Sequence, residues 1–439
     1  MKANKTDFDG MEKTRREYMD KIKALSAEKF DPAMWQKLKE FLYAPRKLGA
    51  DVIIDDTTLR DGFQMAGLAS PRPKHTFEIA HLLAEIGAER LETLIYAKTD
   101  QVAIKMIQDA GMGDIMAAWC RAAIQDVDLA RKLDFKQVGI SHPVSYIHFE
   151  KWPETSIQEL VNRVVETVQY ARDHGLRVFV HGEDSTRADW NFEKVFINAV
   201  AEAGAEVYRI CDTTGCGLPD PEVPLPNGIP AKVRQIKKET KIPYVEIHAH
   251  DDVGNAVENT MAAIEAAARL YDKVYASTTF LGMGERSGNA ETEKIIMNCY
   301  IRYGIKKWNM APMRKLALLI KSSTNFSLPM NKAIVGTAAF SHESGVHLHG
   351  IEALPLTYEI FPPELVGQTR TIVVGKRSGK HGVKIKLEKM LGQSVDENDP
   401  RFVRLLEIIR SKFAQGQRRY PIKDDEFKQY AEEVGFKVG

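Results

Sequence analysis

From Asp51 to Thr278 the chain alternates short apolar runs with longer amphipathic segments, and this alternation limits its fold more than any other feature. The runs are DVIID (51–55), RLETLI (90–95), DIMAAW (114–119), KQVGIS (136–141), LRVFV (176–180), EVYRIC (206–211), YVEIH (244–248) and KVYAST (273–278). Their length suits strands. Helical patterns lie between most of them. Ile157, Leu160, Val161, Val164, Val168 and Ala171 recur every three or four residues and so share one helix face. Ser156 and Glu159 have capping-box spacing at its start, and Gly175 follows its end. The segments after Pro73 (Phe77, Ala80, Leu83, Gly87) and after Asp189 (Phe192, Val195, Phe196, Ala199, Gly204) read the same way. Eight strand–helix units in about 250 residues predict an α/β fold of the (β/α)8 or TIM-barrel type. A doubly wound open sheet is the structural rival.

The barrel is expected over residues 48–300. Residues 1–47 read as a helical N-terminal extension, with Pro45 as a break. Residues 301–385 would form a linking arm and small subdomain, and 386–439 closing C-terminal helices around Tyr420-Pro421. The 61 Lys and Arg against 60 Asp and Glu leave a formal charge of +1, without the general attraction of a nucleic-acid binder. No apolar run reaches the ~18 residues that span a bilayer, so no membrane partner is expected. The N-terminal stretch lacks the apolar core of a secretory signal. Cys120, Cys211, Cys216 and Cys299 form no CxxC pair. A reducing cytoplasm is the expected location.

In such a barrel the chemistry belongs at the C-terminal ends of the strands. The first run is followed by Arg60-Asp61, a fixed cation beside a hard oxygen ligand. Any lone Arg-Asp pair has the plainer reading of a surface salt bridge. The seventh run ends His248-Ala249-His250. Residues i and i+2 of a strand share a face, so both imidazoles point the same way, as a metal pair requires. Two imidazoles and one carboxylate leave positions open for water and substrate, the mark of a catalytic metal rather than a closed structural one. Asn289, after the eighth run, would add an oxygen. The fifth run ends His181-Gly182-Glu183-Asp184-Ser185-Thr186-Arg187, and the sixth Cys211-Asp212-Thr213-Thr214. Asp and Thr there are also good helix caps. The glycine loop 282–288 has GxGxxxG spacing, which does not match a dinucleotide fingerprint. Lys376–His381 is a solvated basic turn or a contact for CoA phosphates.

Eight motifs occur in one order: DTTLRDGFQ (56–64), GEDSTRAD (182–189), DTTGCGLP (212–219), HAHDDVGNAVEN (248–259), GMGERSGNAE (282–291), FSHESGVHLHG (340–350), PLTYE (355–359) and VGKRSGKH (374–381). Together they resemble the metal-dependent acyl-CoA condensing (DRE-TIM) family of isopropylmalate, homocitrate, citramalate and Re-type citrate synthases. The resemblance implies that Asp61, His248 and His250 bind a divalent metal, with Asn289 nearby. Manganese is the first expectation, with magnesium, cobalt or zinc as alternatives. Arg60 would polarise the acceptor carbonyl or the thioester enolate, Gln64 would line the same pocket, and Thr213 would hold the acceptor carboxylate. Glu183 resembles the family's strand-five catalytic glutamate. His347 and Tyr358 match a catalytic pair on an arm that enters the partner subunit's site, which implies a homodimer.

Three departures touch no expected ligand. Phe63 stands for the family's usual Glu, Asp251 for a frequent Asn, and His181 for a frequent Ser. The lyase branch carries a cysteine in the loop after strand eight, and here that loop reads Met283-Gly284-Glu285-Arg286. The expected activity is therefore that of an acyltransferase joining acetyl-CoA to a 2-oxo acid and hydrolysing the thioester. His181, Arg187 and Arg121 would meet a second carboxylate through charge-assisted bonds. That favours a 2-oxo dicarboxylic acceptor: oxaloacetate, giving citrate. Homocitrate, 2-isopropylmalate or citramalate synthesis is the alternative. A barrel that binds a metabolite without turnover is the reading from another class.

Overall fold

A computed structural model of the chain describes residues 5–25, 37–38, 40–42, 46–414 and 418–438. Pro45 lies outside them. Eight parallel strands close into one barrel in the order β1 to β8. They are β1 (Asp51–Asp56), β2 (Arg90–Thr93), β3 (Met116–Arg121), β4 (Gln137–Pro143), β5 (Arg177–Glu183), β6 (Val207–Asp212), β7 (Tyr244–Ala249) and β8 (Lys273–Thr278). Closure is between β8 and β1, in register from Asp51↔Lys273 to Asp56↔Thr278. The open-sheet rival is thereby excluded. Strand β3 starts two residues later than its apolar run, because Gly113–Ile115 form a 3-10 turn. Strand β5 runs on to Glu183, carrying that carboxylate to the barrel rim.

The helices follow their sequence signals. Ile157–Asp173 starts with the capping box of Ser156 and Glu159. It buries Leu160, Val164, Val168 and Ala171, while Ile157 stays exposed. Pro73–Ile86 has proline in its first turn and ends on Gly87 at φ 108. In Trp190–Ala203 the Asp189 side chain accepts from the Asn191 and Phe192 amides, and Gly204 (φ 108) ends the helix. Left-handed C′ positions of this kind favour glycine.

The barrel lumen is not uniformly apolar. Ile53, Phe179, Val207, Tyr244 and Tyr275 pack together as one layer. Two residues further along each of these strands, on the same face, stand Asp55, His181, Arg209, Glu246 and Ser277. Asp55, Arg209 and Glu246, with Arg90 and Glu92 of β2, form an ion-pair lattice across the lumen. All five are at most 2% exposed.

The chain divides into two compact units, Met1–Ser327 and Leu328–Gly439. In the second unit Ser341–His342 pairs in parallel with Thr371–Ile372. Its helices Gly345–Ala353, Lys380–Leu391, Pro400–Ala414 and Asp424–Glu433 include Val383, Leu387, Phe402, Leu405, Ile409 and Phe427 in a core of their own. No helix among the described residues is long and apolar enough to cross a membrane.

Candidate active site

The turn after β1 is held from below. Asp56 Oδ1 accepts from the Thr58 amide at 2.8 Å, and Oδ2 from Thr292 Oγ1 at 2.6 Å. Thr58 Oγ1 accepts from the Phe280 amide at 2.8 Å. The first Asp and second Thr of DTTLRD thus tie the loop after β1 to the loop after β8. Burial pushes the Asp56 carboxyl up to about 6, with the hydroxyl and amide donors of Thr292 and Thr58 opposing it. On this scaffold Arg60 and Asp61 face each other, Nη1 donating to Oδ1 at 3.1 Å.

His248, on β7, and His250, just past its end, lie with ring centroids 4.9 Å apart and planes at 88°. Asp61, His248 and His250 each bring one ligand atom to a cluster in which all lie within 4.8 Å of one another. His248 Nδ1 is 3.1 Å from Ser277 Oγ, and His250 Nδ1 is 3.2 Å from the Gly288 carbonyl. With Nδ1 engaged, Nε2 of each ring is left for a ligand. Burial pushes both imidazoles down, His248 well below the usual range, so they are neutral at pH 7 and able to coordinate. Asn289 donates Nδ2 to Asp61 Oδ2 and to the Met283 carbonyl, while its buried Oδ1 has no partner. A Cβ on Gly284 would fall 2.1 Å from Asn289 Nδ2 and 2.6 Å from Asp61 Oδ2. The orphaned amide oxygen, the neutral imidazoles and the glycine clearance all fit a divalent cation.

Arg60 is held from behind by Glu92 of β2, to which Nε donates at 2.9 Å. Glu92 also accepts from Arg209 at 2.9 and 3.1 Å. Burial alone would raise the Glu92 carboxyl, but Arg209, His181 and Arg60 outweigh it and hold it well below the usual range. Burial likewise opposes ionisation of Glu246, and Arg209 and Arg90 bring it down to about 2. Asp55 goes the other way: burial pushes it up to about 8 despite Arg90. Neither Arg209 nor Glu92 was a candidate from the sequence. The available signal was two ionisable residues at strand period in RLET, and one each inside EVYRIC and YVEIH.

The other candidates fall into distinct surroundings. Glu183 is at the rim, 3.0 Å from Lys151 Nζ and 3.1 Å from His148 Nδ1. Its neighbour Asp184 is structural. It is buried at φ 65, accepts from Ser145 Oγ at 2.5 Å and from Arg187 Nε at 2.7 Å, and its amide donates to Thr213 Oγ1 at 2.8 Å. Thr213 keeps its hydroxyl proton to donate. Gln64 is exposed on the turn Gly62–Gln64. His181 lies deep in the lumen, 3.3 Å from Glu92. Arg121 forms a two-pronged pair with Asp126, both bonds 2.8 Å. The structure thus engages Arg187 with Asp184 and Arg121 with Asp126, while the buried His181 Nε2 has no hydrogen-bond partner. Asp251 caps the Ala256 amide, and Asp252 pairs with Arg286 at 2.9 Å. In the second unit the His347 and Tyr358 rings pack at 4.4 Å, and both residues are exposed.

A family model described as HMGL-like matches residues 51–320, and one described as homocitrate synthase post-HMGL domain-like matches 334–409. The homocitrate synthase AksA of Methanopyrus kandleri is 34% identical over 387 residues, 88% of this chain and 92% of that protein. The 2-isopropylmalate synthase of Methanocaldococcus jannaschii is 34% identical, over 84% of this chain and 69% of that protein. The (R)-citramalate synthase CimA of the same organism is 33% identical, over 82% and 70%. Among solved structures, the HMG-CoA lyase of Brucella melitensis matches with TM-score 0.53 and 15% identity, covering 63% of this chain and all of that one. That likeness is one of fold.

Proposed function

Since the chain belongs to the DRE-TIM acyl-CoA condensing family of homocitrate, isopropylmalate and citramalate synthases, we propose that it joins acetyl-CoA to a 2-oxo acid at the mouth of the barrel and hydrolyses the thioester. The observation that carries this reading is the Asp61, His248 and His250 cluster beside the braced guanidinium of Arg60. These three residues, with Asn289, would hold the divalent cation. When bound, that ion supplies Lewis-acid polarisation of the acceptor's 2-oxo carbonyl.

The chain's own groups do the rest. Arg60 has Nε on Glu92 and Nη1 on Asp61, and its Nη2 is left to donate to the developing enolate oxygen. A donor fixed before the reaction costs little reorganisation during it. Glu183, at the rim, would take the proton from the acetyl methyl, with Lys151 holding its carboxylate in place. Thr213 would donate its hydroxyl to the acceptor carboxylate. His347 and Tyr358 would complete the site from a second copy of the chain, and their exposure as a closely packed, tilted ring pair supports that role.

For the acceptor, the alternative fits better than oxaloacetate. A second acceptor carboxylate, carried by oxaloacetate and 2-oxoglutarate alike, would call on Arg187 and Arg121, and both are already paired with Asp184 and Asp126. The related proteins carry the names of homocitrate, isopropylmalate and citramalate synthases. The test is thiol release from acetyl-CoA with 2-oxoglutarate, 2-oxoisovalerate, pyruvate or oxaloacetate. Release should be fastest with one of the first three. Fastest release with oxaloacetate would restore the citrate reading, and release with none would sink the condensation reading.

A further inference from the structure

Arg209 lies in the lumen on β6, three residues before the strand's last residue, and none of its surface is exposed. A buried guanidinium presents five N–H donors in a rigid fork. Here each faces an acceptor. Nε donates to Glu246 at 3.0 Å. Nη1 donates to Glu92 Oε1 at 3.1 Å and lies 3.5 Å from His181 Nδ1. Nη2 donates to Glu92 Oε2 at 2.9 Å and to Asp55 Oδ2. The same Glu92 Oε1 accepts from Arg60 Nε at 2.9 Å. Glu246 stands on β7 two residues before His248. One side chain therefore braces both the carboxylate behind Arg60 and the strand that carries the histidine pair.

We infer that Arg209 is a positioning residue: it fixes the Glu92 carboxylate, which in turn aims the Arg60 guanidinium at the reacting oxygen. This rests on the proposed condensation. The chemistry explains why arginine is needed. Lysine keeps the charge but offers a point-like ammonium with no planar fork, so it cannot grip both oxygens of Glu92 and also reach Glu246 and Asp55. With Glu92 free to rotate, Arg60 loses one of its two anchors. A misplacement of about 1 Å at a catalytic group costs on the order of 100-fold in rate.

Two measurements separate positioning from a merely structural role. The first is a double-mutant cycle on kcat with R209K, R60K and R209K/R60K, each confirmed folded by circular dichroism. R209K should lower kcat on the order of 100-fold in the wild-type background, with the KM for acetyl-CoA within about threefold. It should cost less than about threefold when Arg60 is already lysine, because the two act as a unit. Equal losses in both backgrounds would overturn the inference. The second measurement needs no activity: a crystal structure of R209K, or of Glu92→Gln if R209K does not fold. The Arg60 guanidinium should leave its position against residue 92, and an unmoved Arg60 would overturn the inference. A wild-type enzyme inactive with every acceptor would count against the condensation reading alone, since the crystallographic result stands without it.

Discussion

At the scale of single residues, the candidate site separates groups that face the mouth from groups that hold them there. In DTTLRD, Arg60 and Asp61 belong to the first kind, Asp56 and Thr58 to the second. Asp56 gives the clearer pH signature. Burial pushes its carboxyl up to about 6 in the fold, from the ordinary value of 3.8. Between those two values the folded chain keeps a proton that the unfolded chain has lost. Stability from this group is thus full below the lower value and is lost as pH rises toward about 6, by at most about 3 kcal/mol. Asp56→Asn should flatten the stability profile between about pH 4 and 6, measured by urea unfolding. A mutant and wild type with the same slope there would refute the assignment. The cluster of Asp61, His248 and His250 was legible at this scale because HxH at a strand end and Arg-Asp after β1 are short local patterns. Arg209 was not. Its partners Asp55, Glu92 and Glu246 lie 154, 117 and 37 residues away in sequence, and only barrel closure brings them together.

At the scale of elements, strand ends and the loops after them make the site. The strands were readable as apolar runs, and the capping box of Ser156 with Glu159 located a helix start. The boundaries that shifted have local causes: a 3-10 turn delays β3, and β5 continues through Gly182, where a Cβ would fall 2.0 Å from the Tyr208 hydroxyl. In the sequence the loop after β8 shows only a glycine spacing that matches no dinucleotide fingerprint. In the fold it is the back wall of the ligand cluster. Gly284 sits at φ 155, and its missing Cβ leaves room for Asn289 and Asp61. Gly284→Ala should therefore weaken divalent-metal binding by about 10- to 100-fold. The expected change in melting temperature is a few degrees. Calorimetric titration with manganese checks it, and wild-type affinity in the alanine variant would show that the clearance has no bearing on the site.

At the scale of the whole molecule, the count of eight strand–helix units favours a barrel without excluding an open sheet, and the pairing of β8 with β1 decides between them. The interior was harder to foresee. A barrel core is expected to be filled by branched apolar residues, yet here one layer is a lattice of buried ions. Removing one partner from such a lattice typically costs 3–5 kcal/mol, which makes it a demanding foundation for a catalytic mouth. The second unit has its own core and carries the His347 and Tyr358 ring pair. The measurement that bears most directly on the central claim is CoA release by the full-length protein, first stripped of metal and then restored with manganese, using the preferred acceptor. Stripping should abolish release in the wild type and manganese should restore it, while His248→Ala should stay inactive in both states. Undiminished release by His248→Ala, or by the stripped wild type, would contradict the account.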